Sequence, residues 1–149
     1  MMTRREWMAH ASAATAGLAC AAAEETETTA LRIGACDWSL GKRQHLEAFD
    51  VAAAIGLEGV QVSFSSPGSD FDLRDAAVRA AYFAKVEATG IQISSLGMGI
   101  LNQRPYATDP EAEIWVAEMI DTMATMKAER PDLAPAICLI AFFSEGDIN

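Results

Sequence analysis

The feature that most constrains this chain is a regular alternation between two hydrophobic periods. Leu31–Cys36 (LRIGAC), Gly59–Phe64 (GVQVSF), Ile91–Leu96 (IQISSL) and Ala136–Phe143 (AICLIAFF) are short, apolar and rich in β-branched residues, the signature of strands. The last is a continuous apolar run, as expected of a strand buried on both faces. Between them lie segments with the period of a helix. His45–Ile55 is rich in helix formers and stops at Gly56. Asp75–Thr89 carries Val78, Tyr82 and Val86 at i, i+4 and i+8, one apolar stripe, and stops at Gly90. Asp109-Pro110-Glu111 is a strong helix start: Asp accepts from orphan amides, Pro fits the first turn, and Glu favours the positive end of the dipole. That helix is expected to run to about Glu129, with Val116, Met119, Ile120, Met123 and Met126 on its buried side, and to end before Pro131 and Pro135.

The order is therefore strand-helix-strand-helix-strand-helix-strand. Strands separated by helices imply right-handed crossovers and a parallel sheet, so the fold class is α/β, with about four parallel strands alternating with three helices. Two helix-to-strand joints share one grammar, Ala54-Ile55-Gly56-Leu57 and Ala88-Thr89-Gly90-Ile91. A chain of 149 residues is long enough for one domain with its own core.

The residues before this pattern read as an address. Thr3-Arg4-Arg5-Glu6-Trp7-Met8 is a twin-arginine pattern, with Arg4 and Arg5 as the signal pair, followed by an Ala-rich apolar stretch. Ala21-Ala22-Ala23 offers a small-x-small cleavage site, and Ala19-Cys20-Ala21 a second. The expected domains are a signal peptide over 1–23, a polar tether over 24–30 and the α/β domain over 31–149. The expected destination is the periplasm. Two alternatives stay open: an ordinary amphipathic N-terminal helix, and lipid attachment at Cys20.

Charge and cysteine usage exclude other classes. With 21 acidic against 11 basic side chains and a formal net charge of −10, the chain lacks the clustered cations that phosphate backbones require, so no nucleic-acid partner is expected. No apolar run reaches the roughly 18 residues of a membrane span. Three cysteines do not make a disulfide framework. Cys36 and Cys138 fall on the first and last strands, which a sequential parallel order keeps apart, so they are expected as free thiols. Gly97-Met98-Gly99 lacks the third glycine of a dinucleotide fingerprint and is expected to let the chain turn after the third strand.

In parallel α/β folds ligands meet the carboxyl ends of the strands. Asp37 and Trp38 follow the first strand, Gln61 and Ser63 lie on the second, Asn102 and Arg104 follow the third, and Glu145 follows the fourth. The structural alternative is that Trp38 packs over a strand end and Asp37 caps a turn. His45 reads as a solvated helix-end residue or a ligand contact. Carboxylates near strand ends, Asp37, Glu145 and Asp147, are the oxygen donors available to a hard cation.

The segments IGACDWSLGK (33–42), AIGLEGVQVSF (54–64), SLGMGILNQRPYATDPEAEIWV (95–116) and LIAFFSEGDIN (139–149) together resemble the exported sugar phosphate isomerase/epimerase group of the xylose-isomerase-like TIM barrels. The resemblance implies the N-terminal half of a (β/α)8 barrel, since a complete one needs about 250 residues and eight strands. It implies a small sugar or keto-sugar substrate, with Asp37, Trp38, Gln61, Ser63, Asn102 and Glu145 lining the mouth. Trp38 would form an apolar wall and the others would meet hydroxyls. It implies a divalent metal (Mn, Mg or Zn) in the full-length protein, held with the acid/base pair on later strands. No catalytic residue and no metal are then expected in this chain alone, and activity would require a complementary half. The alternative is a non-catalytic half-barrel, an exported binding or self-association module that pairs as a homodimer. A complete doubly wound α/β domain is a third architecture the alternation allows.

Overall fold

The computed structural model describes residues 31–64 and 67–140. The signal-peptide and tether expectations, with Arg4, Arg5 and Cys20, lie outside these residues, as do Glu145 and Asp147. Chain contacts divide between Leu31 and Arg32, and the fold is that of the second unit. Four strands, β1 (Gly34–Cys36), β2 (Gly59–Ser63), β3 (Gln92–Met98) and β4 (Cys138–Ile140), alternate with three α-helices, α1 (Glu47–Ala54), α2 (Ala76–Thr89) and α3 (Pro110–Glu129). A single 3-10 turn, Gly99–Asn102, follows β3.

All three strand pairs are parallel, and the sheet order is β1-β2-β3-β4. This order has no reversal. A doubly wound sheet needs one, because crossovers of a single hand change faces only when the direction of stepping changes. Here stepping is one-way, and the buried side chains of all three helices join Val60, Val62, Ile93, Leu96 and Met98 in one core cluster. The helices therefore share one face of the sheet, and the doubly wound alternative is excluded. The opposite, open face carries Cys36, Gln61, Ser95, Gly97 and Leu139 by strand register.

Local sequence explains the elements. Asp75 Oδ1 accepts from the Ala77 amide, and Gly90 closes α2 at φ 73°, a left-handed cap that a Cβ would strain. Asp109 Oδ1 accepts from the Glu111 amide at 3.0 Å, and Pro110 is the first residue of α3. A buried arginine ties α2 to α3: the Arg79 guanidinium grips Glu129 at 2.7 and 2.9 Å and donates to the Leu73 and Arg74 carbonyls.

Three expectations are corrected. Ile120 is half exposed, while Ala112, Val116, Met119, Thr122 and Met126 form the buried stripe of α3, so the contact line runs one residue to the side of Ile120. The last strand begins at Cys138 rather than Ala136, and its described part is not buried on both faces: Leu139 is 51% exposed, as is Ile137 before it at 62%. Among the described residues β4 is an edge strand, with no neighbour on one side and no cover over the open face. Finally, Gly97 and Met98 continue β3 rather than turning, and the chain bends only at Gly99.

Candidate functional site at the carboxyl ends of the strands

Asp37 is the first residue past β1, and its side chain is 1% exposed. Burying a carboxylate requires that its lone pairs be satisfied. Its Oδ1 accepts from the Ser63 hydroxyl at 2.7 Å, and its Oδ2 accepts from the Ser63 amide at 2.8 Å and the Gln44 amide at 3.0 Å. Its own carbonyl takes the Lys42 amide at 2.9 Å. One side chain thus stitches the β1–α1 loop to the end of β2.

Gln44 sits at φ 57°, the only left-handed non-glycine residue among those described. That conformation costs on the order of 1 kcal/mol and persists where surroundings over-determine it. The Asp37 bond to its amide supplies that constraint and fixes the direction in which Arg43 and Gln44 leave the loop.

A polar row crosses the open face just below. The Cys36 thiol donates to Gln61 Oε1 at 2.9 Å, and Gln61 Nε2 donates to Ser95 Oγ at 2.9 Å. Gly97 makes room for it: a Cβ there would lie 3.2 Å from Gln61 Cδ. Burial, reinforced by the negative charge of Asp37, pushes the Cys36 thiol above its ordinary value of 9.0. Cys36 therefore stays a neutral donor at physiological pH. Cys36 and Cys138 are both free.

Above the row, the strand ends enclose two adjoining clefts. The larger, about 300 Å³, is bordered by Arg43, Gln44, Ser63, Ser69, Gly99 and Gln103. The smaller, about 120 Å³, lies among Trp38, Arg43, Met98, Asn102 and Leu139. Arg43 and Gly99 border both. The Arg43 guanidinium lies 6.0 Å from the Trp38 ring centroid, at the outer edge of a cation–π contact.

Of the residues singled out from sequence, Ser63 lines the larger cleft, and Trp38 and Asn102 line the smaller. Asp37 lies behind the wall and acts through Ser63 and Gln44. Gln61 belongs to the row beneath. Arg104 turns away from the mouth: it pairs with Asp109 and Glu111 and stacks 5.3 Å from the Trp115 ring. Arg43, Gln44 and Gln103 were not anticipated. Their signal was position alone, since all three sit in loops that leave the carboxyl end of a strand.

Both Asp37 oxygens are already engaged by donors. The His45 ring packs tilted against Phe71, with centroids 4.7 Å apart. No group of three His, Cys, Asp or Glu side chains comes together among the described residues. Nor is any described helix long and apolar enough to cross a membrane.

No protein-family model, no curated protein and no solved structure matches this chain.

Proposed function

We propose that residues 31–149 form the N-terminal half of a (β/α)8 barrel, and that the protein belongs to a sugar (phosphate) isomerase/epimerase that shifts a proton between adjacent carbons of its substrate. The observation that carries this reading is the one-way parallel order β1-β2-β3-β4 with helices on one face. Such a sheet curls toward closure when further strands continue it, and its open face becomes a barrel interior. The clefts then lie at the mouth, where substrates of such barrels bind.

In this reading the chain supplies binding and orientation. The Ser63 hydroxyl spends its proton on Asp37, so its free lone pair accepts from a substrate hydroxyl. The Asn102 and Gln103 amides offer donors and acceptors, and Trp38 offers an apolar face of the kind sugars stack on. Metal and proton-transfer groups belong to strands beyond β4, and no step is assigned to the residues described. The paired arginines at residues 4 and 5 would direct the protein to the periplasm by the twin-arginine route.

The test is saturation-transfer NMR on the full chain with neutral ketopentoses and ketohexoses. Saturable contact that Trp38→Ala and Ser63→Ala weaken supports the assignment, and absence of contact with every sugar overturns it. Turnover by this chain alone with Mn²⁺ or Mg²⁺ would overturn the placement of the catalytic groups.

A second reading rests on the exposed Leu139 of β4 and Ile137 just before it. Apolar edge strands invite pairing, and a non-catalytic half-barrel would use them for self-association. Sedimentation separates this reading from a monomeric half.

A further inference from the structure

The chain carries 21 acidic and 11 basic side chains, so cations readily find carboxylates. Six of the nine described Lys and Arg side chains do so. Lys42, Arg74, Arg79, Lys85, Arg104 and Arg130 each form an ion pair. Lys127 donates to the Pro131 carbonyl. Arg32 and Arg43 form no ion pair with a described residue. Arg32 precedes β1, at the amino end of the sheet. Arg43 stands at the carboxyl end and borders both clefts.

The location of Arg43 is built rather than incidental. The left-handed Gln44 beside it is held by the buried Asp37 carboxylate, which also fixes Ser63 on the floor of the larger cleft. The guanidinium rests toward the Trp38 ring rather than toward an acid. A field set by net charge −10 repels anions over most of the surface. A guanidinium that no described acid neutralises, at a concave site, is then the local exception, and its planar fork matches a carboxylate or a phosphate with two parallel hydrogen bonds.

We infer that Arg43 is an oxyanion subsite at the mouth, which seats a carboxylate or phosphate group of the ligand between the two clefts, with the Gln44 and Gln103 side chains beside it. This rests on the reading of the mouth as a sugar site and adds to it a charged end on the ligand. Arg43 binds, and Asp37 is a positioning residue that acts through the loop.

The experiment titrates the full chain at low ionic strength with three probes that share a three-carbon skeleton: glycerol 3-phosphate, glycerate and glycerol. Amide and indole NMR shifts report binding. The expected result is saturable binding of at least one of the two anions and none of glycerol. Arg43→Gln weakens anion binding about tenfold, the effect of losing a hydrogen bond to a charged group, and Arg32→Gln leaves it unchanged. Tighter binding of glycerol 3-phosphate identifies a phosphorylated ligand, and tighter binding of glycerate a sugar acid; either supports the subsite. Equal affinity in Arg43→Gln, equal losses in the two variants, equal binding of glycerol, or no saturable binding each overturns it. Anion binding without contact to any neutral sugar would remove the sugar reading and leave the subsite standing.

Discussion

Asp37 and Ser63 are 26 positions apart in the chain, yet they share two hydrogen bonds, hydroxyl to Oδ1 at 2.7 Å and amide to Oδ2 at 2.8 Å. This double contact fastens the loop after β1 to the end of β2. Removing Asp37 strands buried donors, each costing about 1–3 kcal/mol. Asp37→Ala is therefore expected to destabilise the fold by about 3 kcal/mol or more, and Ser63→Ala by about 1.5 kcal/mol. Urea unfolding of both singles and the double should give a coupling above about 1 kcal/mol. Additive effects would mean the contact is not formed in solution.

Gly97 and Gln61 make a second testable pair. A methyl group at residue 97 would press on the Gln61 amide, 3.2 Å from Cδ. Gly97→Ala is expected to cost about 1–3 kcal/mol as an overpacking change. In a Gln61→Ala background most of that cost should vanish, because the obstructing amide is gone. A persistent cost would place the constraint in the backbone of β3 instead.

The Arg79–Glu129 pair gives a pH signature. The hydrogen bond from Arg79 holds the Glu129 carboxyl below its ordinary 4.5. A depressed folded value means the stabilisation is complete above pH 4.5 and is lost as pH falls through the folded value. Glu129→Gln should flatten that part of the acid-denaturation profile. Because Glu129 is solvent-accessible, the change at neutral pH should be small. Arg79→Met is expected to cost more, about 2–3 kcal/mol, since it also frees the Leu73 and Arg74 carbonyls. Circular dichroism melts from pH 2 to pH 7 check both.

Cys36 titrates in the opposite sense. Burial and the Asp37 charge raise its thiol above 9.0, so the stability it contributes is complete below pH 9 and declines as pH rises through the folded value. Alkylation of Cys36 at pH 8 should be slower than that of a free thiol, and Gln61→Ala, which removes its acceptor, should expose it and speed the reaction. Mass mapping of the modified cysteine reads the outcome directly.

The proposed export route has its own check. Replacing both Arg4 and Arg5 by Lys should retain a fused reporter inside the cell, while the unaltered leader should deliver it to the periplasm. Equal export of both would remove the twin-arginine assignment.

Much of the architecture was legible in the sequence because periodicity and end signals are local. The alternation of strand and helix, the Asp109 cap, the stop at Gly90 and the stripe of Val78, Tyr82 and Val86 need only neighbouring residues to specify them. The strand ends also pointed to Ser63, Trp38 and Asn102, which border the clefts. What local pattern left open is which residues come together. In β3, the register slips between Val60/Gln61 and Ile93/Ser95, leaving Ser94 unopposed. That bulge lets Ile93 and Leu96, an odd number of residues apart, both reach the helix face, and it turns Ser95 onto the open face beneath Gln61. Strict alternation predicts neither. The sequence by itself determined the elements, their order and the acidic background against which a cation without a described acid partner matters. Only the tertiary structure decided the one-way sheet, the burial of Asp37 against Ser63 and Gln44, and the position of Arg43 between two clefts. Each of these depends on contacts between distant segments, and the energy that selects them resides in burial and hydrogen bonding across strands rather than in the preferences of any one segment.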